Sequence, residues 1–481
     1  MKPSNAITLD QQDNQIQLFN KIWICLLFIA GLFLWVKFLN FGDIHFTYLD
    51  WGEDSGPRLV FLQSALQDGL LPYHMPNASG LVNVSDRYLS IPDVLFSPHA
   101  LLLKLLTPET FVIVHVLLLY SLGFCGLAIL RRRYTLTWLP FTVLFLLFNF
   151  NGHILSHLSA GHLPWAGYFL FPWFILQVMR LLEERQDWRW VFQTAVLLFF
   201  LFLQGSFHQF SISLIFLGLI ALTAIKKHWP ALAAVGASLA LSLVRIMPTL
   251  LVVNNFNTVF HGGFPTFYAV IEGLASIHTP DSGLSVPGGK TMGWWEFDLY
   301  IGISGLLFLL IFGFLRWLSS KEENDRYMNL LFPFIVMTVS SMGTVFKVFT
   351  QLSIPTGIRV TTRFIVLPLL FLCLLAVMQF NTWLAKHNKN RALWLVLLSG
   401  LGVLLSELWQ HFKVWQLSNM LQVFGEGRFV PSIWTVANYP DPSYMRYLLY
   451  GVLGSSATLL VLIGLSLYSA RKARRTALED S

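Results

Sequence analysis

Three groups of polar residues stand out from an otherwise apolar chain, and their types decide which chemistry is open to it. The first reads Tyr48-Leu49-Asp50-Trp51-Gly52-Glu53-Asp54-Ser55-Gly56-Pro57-Arg58. Glu53 and Asp54 immediately precede a helix signalled by Pro57 in its first turn, by Leu59, Leu62 and Leu66 along one face, and by Gly69 as a stop. Carboxylates at that position are favoured by the helix dipole and lie where an acceptor or a metal can reach them; solvated acids capping a helix would read the same way. Arg58 joins the segment as a substrate-binding candidate.

The second group is Asn149-Phe150-Asn151-Gly152-His153, followed by His157, Gly161, His162 and Pro164-Trp165. His153 and His157 share a helical face. Histidines at a membrane boundary can hold a metal, bind a phosphate or line a wet cavity. With no cysteine nearby and no His-Glu-x-x-His pattern, a polar pocket wall is the stronger reading and no metal ligands are assigned, although a divalent metal remains open as a cofactor.

The third group is basic. Arg245 lies inside an apolar run beside Pro248, where a charge costs roughly 2.5 to 3.5 kcal/mol unless it faces a cavity or a partner. Lys347, Arg359 and Arg363 gather around Pro355 and Gly357. Arginine offers bidentate contacts to phosphate, and headgroup anchoring is the plainer alternative. Trp294-Trp295-Glu296 and Trp434 are able to stack on a sugar ring, but an interfacial aromatic belt explains them more simply. Asn77 and Asn83 begin glycosylation-type triplets that carry no weight in a chain of bacterial character.

The elements that must position these residues follow from composition. Of 481 residues, 55% are hydrophobic and 12% charged, and the mean hydropathy is +0.61. A bilayer is the solvent that suits such a chain. About twelve apolar runs approach the length of a span, at 22–39, 109–130, 136–151, 165–182, 191–204, 209–225, 230–253, 297–318, 328–345, 363–385, 392–409 and 448–470. The expected fold is all-α: a polytopic transmembrane helical bundle forming a single domain over 1–481, with interfacial helices in a long first extracytoplasmic loop. Cys25, Cys125 and Cys373 sit within apolar runs, without disulfide or zinc spacing. The first run has no small-residue cleavage site after it and reads as an uncleaved helix.

Short basic connections carry Arg131, Arg132 and Arg133, then Arg185 and Arg189, Lys226 and Lys227, Lys321 and Arg326, and Lys386, Lys389 and Arg391, while Arg471 to Arg475 end the last run. The alternate connections are long: 40–108, which is acidic, 254–296 and 410–447. The positive-inside rule then predicts a bacterial inner-membrane protein with both termini cytoplasmic. The basic residues are scattered between apolar runs, which gives no nucleic-acid patch. No phosphate-binding G-x-x-x-x-G-K-[ST] loop, G-x-S-x-G elbow or dinucleotide fingerprint occurs, which argues against nucleotide hydrolysis and serine-hydrolase chemistry.

An acidic pair soon after the first run, an interfacial helix, and Gly69 with Pro72 beyond it resemble the first outer loop of the GT-C superfamily of integral membrane glycosyltransferases. The resemblance implies sugar transfer from a polyprenyl-phosphate donor to a glycan, lipid or protein acceptor among membrane lipids. It places Asp54 at the catalytic aspartate and Glu53 beside it as helper or metal ligand. Arg245, Arg359 and Arg363 become phosphate binders, and His153, His157 and His162 line the cavity. The required chemistry is a base for the acceptor hydroxyl and cations for the departing phosphate. The rival expectations are a transporter or flippase, a surface-polysaccharide polymerase or ligase, and a non-catalytic assembly protein.

Overall fold

The computed structural model describes residues 4–75, 87–90, 97–252, 262–286, 290–319, 327–345, 347, 360–387, 390–425 and 438–479. Helix α1 (Ser4–Phe38) carries the first apolar stretch, Leu18–Phe38. Next comes a π-helical turn at Trp51–Ser55, continued by α2 (Gly56–Gln67), which is the helix expected after Pro57. α3 (Pro108–Arg133) shows plain start and stop chemistry. Thr107 accepts the Thr110 amide at its N-cap, Pro108 opens the helix, and Arg131 to Arg133 close it where the dipole favours cations.

The third expected run divides into α4 (Trp138–Asn149) and α5 (Gly152–Ser159), with Asn151 capping α5 through the Ile154 amide. A 3-10 segment, Leu163–Leu170, leads into α6 (Phe171–Glu183). α7 (Trp188–Leu203) and α8 (Phe207–Thr223) follow. α9 (Ile225–Leu241) and α10 (Leu243–Leu250) meet at Ser242 with a bend of 63°. Pro230 lies inside α9 and Pro248 inside α10, each without an amide to give to the helix.

Beyond α10 lie α11 (Phe267–Ala275) and a two-stranded antiparallel hairpin, β1 (Gly283–Ser285) with β2 (Thr291–Gly293), in the register Leu284 to Met292. α12 (Gly302–Phe308) runs through a π-helical stretch into α13 (Arg316–Ser319). α14 (Leu331–Ser340), α15 (Val366–His387), α16 (Arg391–Trp415), α17 (Leu417–Phe424) and α18 (Pro442–Glu479) complete the chain. The connections expected at 254–296 and 410–447 are thus partly helical. The span before the second one continues to Trp415, because Trp409, Phe412 and Trp415 extend its apolar face.

Among the described residues, seven helical stretches are long and apolar enough to cross a membrane, or eight with the bent α9–α10 pair. This is the make-up of a multi-pass membrane protein. The remaining expected runs are the shorter apolar helices Trp188–Leu203, Phe207–Thr223, Gly302–Leu315 and Met328–Ser340. Burial sorts the helices. The Trp138–Ser159 stretch is enclosed throughout, whereas α16 and α18 turn residues such as Leu395, Val396 and Leu460 outward. An apolar exterior on long helices is what lipid contact requires.

α3 packs on α1 and on Leu163–Leu170; α4 packs on α15; α7, α8 and α9 pack together; α18 lies against α10 and α7. The central α4–α5 stretch is therefore a fixed post, and the polar segments gather at its Ser159 end.

Candidate functional site

The first loop docks onto the turn after α5. Leu49 takes a left-handed conformation (φ 43°), which turns Asp50 and Trp51 toward that turn. The Asp50 amide donates to the Ala160 carbonyl at 3.1 Å, Trp51 Nε1 donates to the Ser159 carbonyl at 3.1 Å, and Ser55 Oγ donates to the Gly161 carbonyl at 2.6 Å. Gly161 makes the fit possible. Its φ is 98°, and a Cβ there would stand 2.2 Å from the Trp51 amide nitrogen.

Because Gly161 reverses the chain, His162 returns onto α5. His157 Nδ1 and His162 Nδ1 are 2.6 Å apart, and the His153 ring lies 4.7 Å from that of His157. His162 Nε2 is 2.8 Å from Asp50 Oδ2. A carboxylate only accepts, so this contact places the His162 proton on Nε2 and leaves Nδ1 with its lone pair in the neutral ring. The Trp165 ring faces His157 at 4.7 Å, His162 at 5.0 Å and His208 at 5.1 Å. The Arg363 guanidinium covers Trp165 at 4.5 Å and grips Glu296 with two bonds, Nε to Oε2 at 3.1 Å and Nη2 to Oε1 at 2.6 Å. One donor atom from each of His157, His162 and Glu296 falls within 4.8 Å of the others.

Burial pushes the Asp50 carboxyl up, but His162, by charge and hydrogen bond, and then Arg363 and Arg58 outweigh it. The net result lies below the ordinary carboxylate value. Asp54 pairs with Arg58 one helical turn on, and Arg58 is itself buried.

The residues singled out from sequence thus divide. His153, His157, His162 and Arg363 share one cluster, and Asp54 and Arg58 occupy the loop that docks on it. Glu53 is exposed on the outside of the π-turn. Arg245 donates to the Leu89 carbonyl at 3.3 Å, in a group where Ser90 Oγ donates to the Pro248 carbonyl and the Leu89 amide donates to the Tyr444 hydroxyl. This group holds the first loop to α10 and α18. Lys347 is exposed. Arg359, Pro355, Gly357, Trp434, Asn77 and Asn83 lie outside the described residues.

Sequence reasoning missed Asp50 as a partner of His162, and it read Glu296 only as part of an aromatic motif. No local spacing marks Asp50 as that partner, since His162 reaches it only through the fold. A second buried polar group was also missed. His411 Nε2 lies 2.8 Å from Asp298 Oδ2, and the His411 ring stacks on Tyr300 at 4.4 Å. Trp415 Nε1 donates to His411 at 3.0 Å, and Ser159 Oγ donates to the Trp415 carbonyl. Gly152 closes this contact: its amide donates to the Tyr300 carbonyl at 2.8 Å, and a Cβ would fall 1.7 Å from Asp298 Oδ1.

No family model, curated protein or solved structure matches this chain. The site therefore speaks through its own chemistry: carboxylates, imidazoles, guanidiniums and an aromatic face meet at one end of a membrane bundle. That set is suited to proton transfer, to anion binding and to stacking against a ring.

Proposed function

We propose that this chain is a membrane glycosyltransferase that moves a sugar from a polyprenyl-phosphate carrier to a glycan, lipid or protein acceptor on the extracytoplasmic side of a bacterial inner membrane. In this reading the chain crosses about twelve times, counting the shorter apolar helices and the bent pair, and keeps both termini cytoplasmic. The observation that carries the reading is the docking of the Asp50–Arg58 segment onto the His157–His162 turn beside Arg363. Asp54 is the proposed base for the acceptor hydroxyl. Arg58 and Arg363 offset charge on the departing phosphate.

The test is sugar transfer from polyprenyl-phosphate donors in liposomes by the wild-type chain, Asp54→Asn and Asp50→Asn. Loss of base assistance predicts a fall of about 10²- to 10⁴-fold for Asp54→Asn with donor binding retained. Wild-type rates from Asp54→Asn would remove Asp54 from the reaction.

One observation favours a second reading, transport of a lipid-linked or polar substrate: the 63° break between α9 and α10, with buried Arg245 just beyond it. Broken helices with a charge at depth are typical of transporters. Translocation without transfer, in the same liposomes, would select it.

A further inference from the structure

We propose that His157, His162 and Glu296 form a binding site for a divalent transition metal of the zinc type, with Asp50 as the carboxylate that orients His162. Three observations meet here. The candidate donor atoms of these residues fall within 4.8 Å of one another, drawn from α5, from the turn after Gly161 and from the segment after β2. Tetrahedral coordination with metal–nitrogen distances near 2.0 to 2.1 Å and metal–oxygen distances near 2.0 to 2.2 Å spaces donor atoms roughly 3.3 to 3.5 Å apart, so on binding the two Nδ1 atoms, 2.6 Å apart as a hydrogen-bonded pair, open by rotation of the rings.

The Asp50 contact is the second observation. A metal-bound histidine donates its other ring N–H to a carboxylate or carbonyl, which fixes its tautomer and orientation. His162 does this toward Asp50 at 2.8 Å, and its Nδ1 faces His157.

The third is the pair of Nδ1 atoms, 2.6 Å apart. With the His162 proton on Nε2, either the His157 Nδ1 proton joins them or a cation takes both lone pairs, and a zinc-type ion displaces that proton to His157 Nε2.

Glu296 remains able to serve although Arg363 holds both its oxygens, since each carboxylate oxygen keeps a second lone pair. Two imidazoles and one carboxylate favour zinc, or cobalt as its probe, over magnesium, which prefers an all-oxygen octahedral shell. Such a set leaves a fourth position open, as at catalytic rather than structural zinc. The inference concerns binding alone and stands apart from sugar transfer.

The experiment uses full-length protein in detergent, free of any histidine tag, stripped with a chelator and dialysed against micromolar Zn²⁺ or Co²⁺. Bound metal is counted by mass spectrometry, and cobalt is followed by its visible absorption. Wild type is expected to hold about one ion per chain, with the cobalt band of a four-coordinate site. Glu296→Gln and His162→Ala are expected to lose it. Asp50→Asn, which removes no ligand and so keeps the test valid where other variants fail to fold, is expected to bind roughly 10- to 100-fold more weakly. His153→Ala is expected to bind as wild type. Wild type without stoichiometric zinc or cobalt, or Asp50→Asn and Glu296→Gln with undiminished affinity, would overturn the proposal. A chain that transfers sugar but binds no zinc overturns this inference alone; one that binds zinc without transferring sugar leaves it standing.

Discussion

Asp50 Oδ2 and His162 Nε2 lie 2.8 Å apart, so the first loop and the turn after α5 are joined by a charge-assisted contact in addition to three bonds to backbone carbonyls. A double-mutant cycle with Asp50→Asn and His162→Ala should return a coupling of about 1 kcal/mol, the low end for such a bond because the Asp50 side chain is 44% exposed. Thermal melting of the four proteins measures it, and simple additivity would show that the contact contributes nothing. Since the folded Asp50 value is depressed, its contribution is complete above the ordinary carboxylate value and is lost as pH falls through the folded one.

Asp441 gives a second acid-sensitive tie. Burial raises its carboxyl, but bonds from Arg87, Ser443 and the Tyr444 amide bring it down to about 2 from the ordinary 3.8. Its stabilisation is therefore present above pH 3.8 and disappears as pH drops toward 2. Limited proteolysis across that interval should show cleavage near residues 71–75 and 87–90 increasing in wild type. In Asp441→Asn the step should be missing and the segment already sensitive at neutral pH.

Gly161→Ala and Gly69→Ala separate backbone strain from collision. Both glycines have positive φ, 98° and 70°, yet a Cβ at Gly69 meets nothing within 4 Å. Gly69→Ala should cost only the left-handed penalty of about 1 to 2 kcal/mol. Gly161→Ala must also push Trp51 away, and it should lower the melting temperature further and expose residues 49–55 to protease. Equal shifts in the two variants would mean that the loop does not press on the turn.

Arg363 and Glu296 are both largely buried, so removing one partner strands the other. Arg363→Met is expected to destabilise by about 3 to 5 kcal/mol, and pairing it with Glu296→Leu should recover much of that loss. Arg363→Lys should not substitute well, because lysine lacks the planar fork that holds Glu296 while covering Trp165. Denaturation of the single and double variants in one detergent decides the point, and a double variant worse than Arg363→Met would refute it.

Much of the architecture was legible because apolar length and helix punctuation act locally. Pro57 and Gly69 framed α2, Arg131 to Arg133 closed the run that forms α3, and the break at Ser242 fell inside the run that holds Pro248. What escaped was non-local. Nothing in the order of residues tells Asp50 from Asp54, because the choice of partner depends on how Leu49 and Gly161 turn the backbone. Glu296 and Arg363 meet only once the hairpin and the segment before α15 are packed, and Asp298, in the irregular stretch before α12, finds His411 on α16. The helices shorter than a full span were legible as apolar runs but not as crossings, since a bundle interior can enclose such a segment as readily as a bilayer can.

Asn438 takes the amides of Tyr73 and His74 and returns its own to the Leu71 carbonyl, while Asp441 secures Arg87. The partners of the first of these bonds are 365 positions apart. This separation sets a schedule for biogenesis. At translation rates of about 5 to 20 residues per second, the early loop waits on the order of tens of seconds for the chain that completes it. Until α18 is inserted, Tyr73, His74 and Arg87 have no Asn438 or Asp441 to meet. A ribosome stalled before the last helix would leave a chain with its histidine turn already formed and its first loop open at one end, a form that quality-control proteases can distinguish from the finished protein.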